Sequence, residues 1–182
     1  ARFMTQHEYE FVAVSIILGL AITRLLHTVA MLIRAKSRVT FHWSSAVYSL
    51  CVMSYILQLW WIGWGLREIE VWAFSDFLVL VAGSICIYGA AELALPVPEE
   101  DDLDMLAHSQ SLGRLSALSM LVYFAIGPYF NLAISDTAFL PSLIVPAIGV
   151  LLMATMIVRP GFFKGASLLL SVYSLSILVL TT

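Results

Sequence analysis

Six stretches of this chain are each apolar enough, over enough residues, to cross a bilayer, and that limits its folds more than any other feature. By hydropathy they cover residues 11–33, 41–66, 71–95, 115–135, 138–158 and 165–181. A helix needs about 20 apolar residues to span a hydrocarbon core about 30 Å thick. Lipid offers backbone amides no partner, so such runs close their hydrogen bonds internally as helices. The expected fold is therefore all-α: a polytopic transmembrane helix bundle of about six spans, forming a single membrane domain over residues 1–182. The last stretch is short, and five spans with one interfacial or re-entrant segment is the competing count. The chain is 61% hydrophobic and 12% charged, whereas soluble domains are about 25% charged, so no large soluble part is expected. Arg2, His7, Glu8 and Glu10 precede the first stretch in place of a basic leader, which reads as a retained helix and not a signal peptide.

The loops suggest an orientation. Alternating the spans puts Arg34, Lys36, Arg38, Arg114, Arg159 and Lys164 on one side, and only Arg2 and Arg67 on the other. The positive-inside rule makes the basic side cytoplasmic and both termini non-cytoplasmic. Glu99, Glu100, Asp101, Asp102 and Asp104 then fall in an acidic cytoplasmic loop, residues 99–110; acidic residues weigh little in the rule. Trp60, Trp61, Trp64 and Trp72 gather at the outer interface, where indole rings prefer to sit, and His42 and Trp43 mark the inner one. The net charge of −3 and the lack of a basic patch argue against nucleic acid as a partner.

Arg24 is the most exacting residue. It lies ten positions before Arg34, about 15 Å of helix, too deep to reach water with ease. An arginine near the midplane costs about 2.5–3.5 kcal/mol on insertion scales, so it needs a partner. Glu92 lies at comparable depth in the third span and is the expected one. His27, Gln58, Tyr88 and Asn131 complete an intramembrane polar cluster with these two.

The sequences Leu18-Gly-Leu-Ala-Ile-Thr-Arg-Leu-Leu26 and Gln58-Leu-Trp-Trp-Ile-Gly-Trp-Gly-Leu-Arg-Glu68, with Trp72-Ala-Phe-Ser-Asp-Phe77, resemble a family of small bacterial polytopic integral membrane proteins. The resemblance covers the first three spans and implies a bacterial inner-membrane location. It implies no activity and no site residues.

Polar side chains recur at steps of three and four. Span one carries Ser15, Gly19, Thr23 and His27; span two Ser44, Tyr48, Cys51, Tyr55 and Gln58; span three Asp76, Ser84, Tyr88 and Glu92; span four Ser116, Ser119, Tyr123, Gly127 and Asn131. That spacing puts each set on one helix face. Such faces either turn toward one another, exchanging hydrogen bonds, or line a polar, quinone-sized cavity. Ser167, Ser171 and Ser174 form a small-residue seam in span six, suited to packing in the bundle or against a partner chain. Gly127-Pro128 and Pro146 break the second-half helices, and a three-plus-three inverted arrangement is geometrically open. Cys51 and Cys86 read as small apolar residues.

Phosphate-loop, His-Glu-x-x-His and Gly-x-Ser-x-Gly motifs are absent from the sequence, and no lysine lies inside a span to carry retinal. No metal or catalytic residue is indicated. A bis-histidine haem would need a second histidine at the depth of His27, and His42 is interfacial. The expected role is a non-catalytic accessory or scaffold subunit of a larger membrane complex, contacting lipids and other membrane chains. Trp60, Trp61, Trp64, Trp72, Ser167, Ser171 and Ser174 would be its docking faces. Two other roles remain open. One is a small-solute or ion transporter or channel using the Arg24/Glu92 region; the other is a quinone- or haem-binding redox module.

Overall fold

The computed structural model describes residues 5–69, 71–98, 103–134 and 138–181, without the side chains of residues 68, 134, 180 and 181. Arg2 and the acidic residues 99–102 lie outside the described residues. Within them, six helices are long and apolar enough to cross a membrane. They are α1 (Gln6–Arg34), α2 (Trp43–Gly65), α3 (Phe74–Leu93), α5 (Gly113–Tyr129), α6 (Phe139–Val158) and α7 (Phe163–Thr181). The last stretch is a helix of 19 residues, long and apolar enough to cross a membrane like the other five.

Helix ends follow local chemistry more than hydropathy. α1 begins five residues before its apolar run because Thr5 and Glu8 form a reciprocal cap. The Glu8 amide donates to Thr5 Oγ1 at 3.2 Å, and the Thr5 amide donates to Glu8 Oε2 at 2.8 Å. α2 starts where His42 Nδ1 accepts from the Ser44 amide at 3.2 Å.

The loop expected over 99–110 holds more order than its charge suggests. β1 (Val39–Thr40) pairs in parallel with β2 (Leu103–Asp104), and a short helix α4 (Met105–Gln110) follows, capped by Asp104. Ser45, at the start of α2, donates to the Met105 carbonyl at 3.0 Å and shares a hydrogen bond of 2.7 Å with Ser109. These bonds pin α4 to the start of α2.

In the bundle α1, α3, α5 and α6 are successive neighbours, while α2 packs on α7 and also touches α1 and α3. Several polar stripes do turn inward and meet. The hydroxyls of Tyr48 and Ser116 lie 3.0 Å apart, Ser116 also donates to the Ala90 carbonyl, and Ser174 donates to Tyr55 Oη at 3.1 Å. Close backbone approach is set by glycine at two places. The Phe11 ring fills the space a side chain would need at Gly63, and a Cβ at Gly149 would stand 2.5 Å from the Phe124 ring.

Candidate functional site

The polar residues at membrane depth divide into two groups. In the first, Arg24 Nη2 donates to Glu92 Oε1 at 2.7 Å, so the partner inferred from depth is the one found. The buried stripe of α1, from Glu10 through Leu18 and Leu25 to Leu32, faces the core; Arg24 stands at its edge, on the α3 side. Tyr88, one turn before Glu92, shares that side of α3. The pair is not enclosed: the side chains are 36% and 31% exposed, in the outer groove between α1 and α3. Arg24 Nε is itself buried and has no hydrogen-bond partner.

The α1 stripe departs from the expectation that polar faces turn inward. Thr23 and His27 are exposed, and a Cβ at Gly19 would meet nothing within 4 Å. The Thr23 hydroxyl satisfies itself on the Gly19 carbonyl at 2.8 Å. The reason is rotational: the larger apolar set of Val14, Leu18, Ala21 and Leu25 claims the core, and the polar set lies across the helix from it.

Gln58 and Asn131 belong to the second group, away from the ion pair. They line a cavity of about 190 Å³ between α2, α3, α5, α6 and α7, in the half of the bundle nearer the chain termini. Its walls are aromatic. The Phe124 ring meets Tyr55 edge-on at 5.1 Å and 87°, with Tyr123 at 5.6 Å and Tyr173 at 6.0 Å. Pro128 supplies no N–H to the carbonyl four residues earlier, and α5 widens just beyond it into a π-helical turn, Phe130–Ile134, that carries Asn131 to the cavity. The Tyr55 hydroxyl accepts from Ser174 and that of Tyr173 donates to the Val145 carbonyl. Among the described residues, the Gln58 and Asn131 amides and the Tyr123 hydroxyl have no hydrogen-bond partner. The lining contains no charged side chain.

The expected docking residues also separate. Trp60, Trp61 and Trp64 are 41%, 67% and 67% exposed, around an open hollow shared with His7 and Phe11. The Arg67 guanidinium lies 4.2 Å over the Trp64 ring. Trp72, however, is buried and therefore offers no face to a partner. Its backbone is held at both ends by Gln6, whose Nε2 donates to the Trp72 carbonyl at 3.2 Å and whose Oε1 accepts from the Trp72 amide at 3.3 Å. Ser167 and Ser174 are likewise buried, because a serine is small enough to let α7 press on α2 and can donate to its own helix. Ser171 is half-buried.

Sequence reasoning missed the cluster at the start of α1. Gln6 joins Glu10 Oε1 at 3.0 Å, His7 Nε2 donates to the Gly63 carbonyl at 2.9 Å, and Glu10 is buried. The Thr5-x-x-Glu8 pattern could have signalled a helix start there, and hence that these polar residues are helical and face neighbours. No protein family, curated protein or solved structure matches this chain.

Proposed function

We propose that this chain is a non-catalytic subunit of a larger assembly in a bacterial inner membrane, and that a partner's spanning helix covers the outer face of α1 and α3. One observation carries the reading: at membrane depth the Arg24–Glu92 pair is about one-third exposed, flanked by exposed Thr23 and His27. Alone in lipid, the chain would hold two charges and an imidazole against hydrocarbon tails, where polar groups are costly and normally face other helices or a water-filled cavity. A helix laid over Leu20 and His27, the exposed residues beside Arg24 on the α3 side of α1, would shield the pair from lipid. The exposed Trp60, Trp61 and Trp64 add a second apolar face at the other end of the bundle. By the distribution of Lys and Arg, the basic loops lie in the cytoplasm and both termini outside it.

The test is native mass measurement after extraction in mild detergent. The wild-type chain should emerge with at least one further polypeptide, and Thr23→Trp, a bulky change at an exposed position, should release it while helicity and melting stay unchanged. A wild-type chain that emerges alone, and drives solute flux in liposomes that Glu92→Gln abolishes without unfolding, would overturn this in favour of transport.

A further inference from the structure

We propose that the cavity between α2, α3, α5, α6 and α7 binds the head of a neutral, membrane-dissolved molecule carrying carbonyl or phenolic oxygens on a single flat ring, the chemistry of an isoprenoid quinone. This goes beyond the subunit reading and does not depend on it. Size sets the first limit. A dry cavity of about 150 Å³ holds benzene, so about 190 Å³ holds one ring with small substituents, and a tail would have to remain in the lipid.

The lining sets the second limit. No charged side chain faces the space, which disfavours ions, amino acids and phosphorylated heads. Tyr55, Tyr123, Phe124, Phe130 and Tyr173 offer ring faces and edges to a flat guest. The third limit is polar. The carboxamides of Gln58 and Asn131, on opposing helices, and the Tyr123 hydroxyl have no partner in the described residues. Each both donates and accepts, so together they suit the oxygens of a quinone and of its quinol. Few convergent polar groups in an aromatic cavity are the usual make-up of a small-molecule site. The π-helical turn that places Asn131 is a local departure of the kind often met at binding sites. Only binding is inferred, with no electron transfer.

The experiment titrates the detergent-solubilised chain with a decyl-substituted benzoquinone by calorimetry, with decanol as the ring-free control. Saturable quinone binding and none for decanol are expected. Gln58→Leu and Asn131→Leu should each weaken binding about tenfold, the loss of one hydrogen bond. Val79→Phe, which fills the cavity, should abolish it, and Thr23→Ala, outside it, should leave it unchanged. Equal binding of decanol, no saturable binding, or variants as tight as wild type would overturn the inference. Should the cavity variants fail to fold, an azido-quinone on the wild-type chain decides: adducts on residues 55–62 and 123–131 support the site, and adducts confined elsewhere refute it.

Discussion

Arg24 and Glu92 show how far a single residue can be read. Counting residues from the helix ends was enough to pair them, because depth along a helix is fixed at 1.5 Å per residue. Their third of exposure was not legible, since it depends on how α1 rotates against α3. The pair gives a sharp expectation. Glu92→Leu leaves a lone arginine at depth and should lower stability by about 2–3 kcal/mol, whereas Arg24→Leu with Glu92→Leu should cost less than the two single changes together. Thermal unfolding of the four chains in one detergent measures the cycle; single variants that melt with wild type would deny the coupling. His108 offers another expectation outside the spans. Burial pushes its imidazole below the ordinary 6.5, and the hydrogen bond to the Leu93 carbonyl at 3.2 Å offsets this only in part. The fold then prefers the neutral ring. Well above pH 6.5 both states are neutral; on acidification the unfolded chain takes up the proton first and stability falls until the folded ring also titrates. Melting temperature should drop from pH 7.5 to pH 5, and His108→Gln should flatten that dependence.

Elements were legible in number and less so at their edges. Apolar runs locate helices because lipid forces internal hydrogen bonding, but the ends belong to capping groups, so α1 starts at Gln6 and not at Phe11. α4 was hidden inside a charged loop; the signal was Asp104 placed to cap Leu106 and Ala107. The cavity was half visible. The steps Tyr55–Gln58 and Tyr123–Gly127–Asn131 put polar groups on single faces, while only the packing of five helices shows that these two faces meet and that Arg24 and Glu92 stand elsewhere. The α5–α6 contact is the tightest place to perturb. A Cβ at Gly149 would stand 2.5 Å from the Phe124 ring, which is already wedged among Tyr55, Tyr123 and Tyr173. Gly149→Ala should therefore destabilise by about 1–3 kcal/mol, seen as a lower melting temperature. At Gly19, where the space is open, the same change should have no such effect.

For the whole molecule, the alternation of six helices follows from the sequence, and the charge asymmetry of the loops supplies a direction. Reporter fusions after Ser37 and Asp104 should read cytoplasmic, and one after Glu68 external; a cytoplasmic signal at Glu68 would reverse the orientation. The order in which the parts meet could not be taken from composition, because it is set by side-chain volume on opposing faces. That order has a consequence in time. Glu92 follows Arg24 by 68 residues, and synthesis at about 5–20 residues per second separates them by about 3–14 s. During that interval Arg24 is already in the chain while its counter-charge has not yet been made. For a chain inserted as it is made, α1 then has to offset the cost of an unpaired Arg24, about 2.5–3.5 kcal/mol, with its own apolar residues, and the ion pair closes only when the third helix arrives.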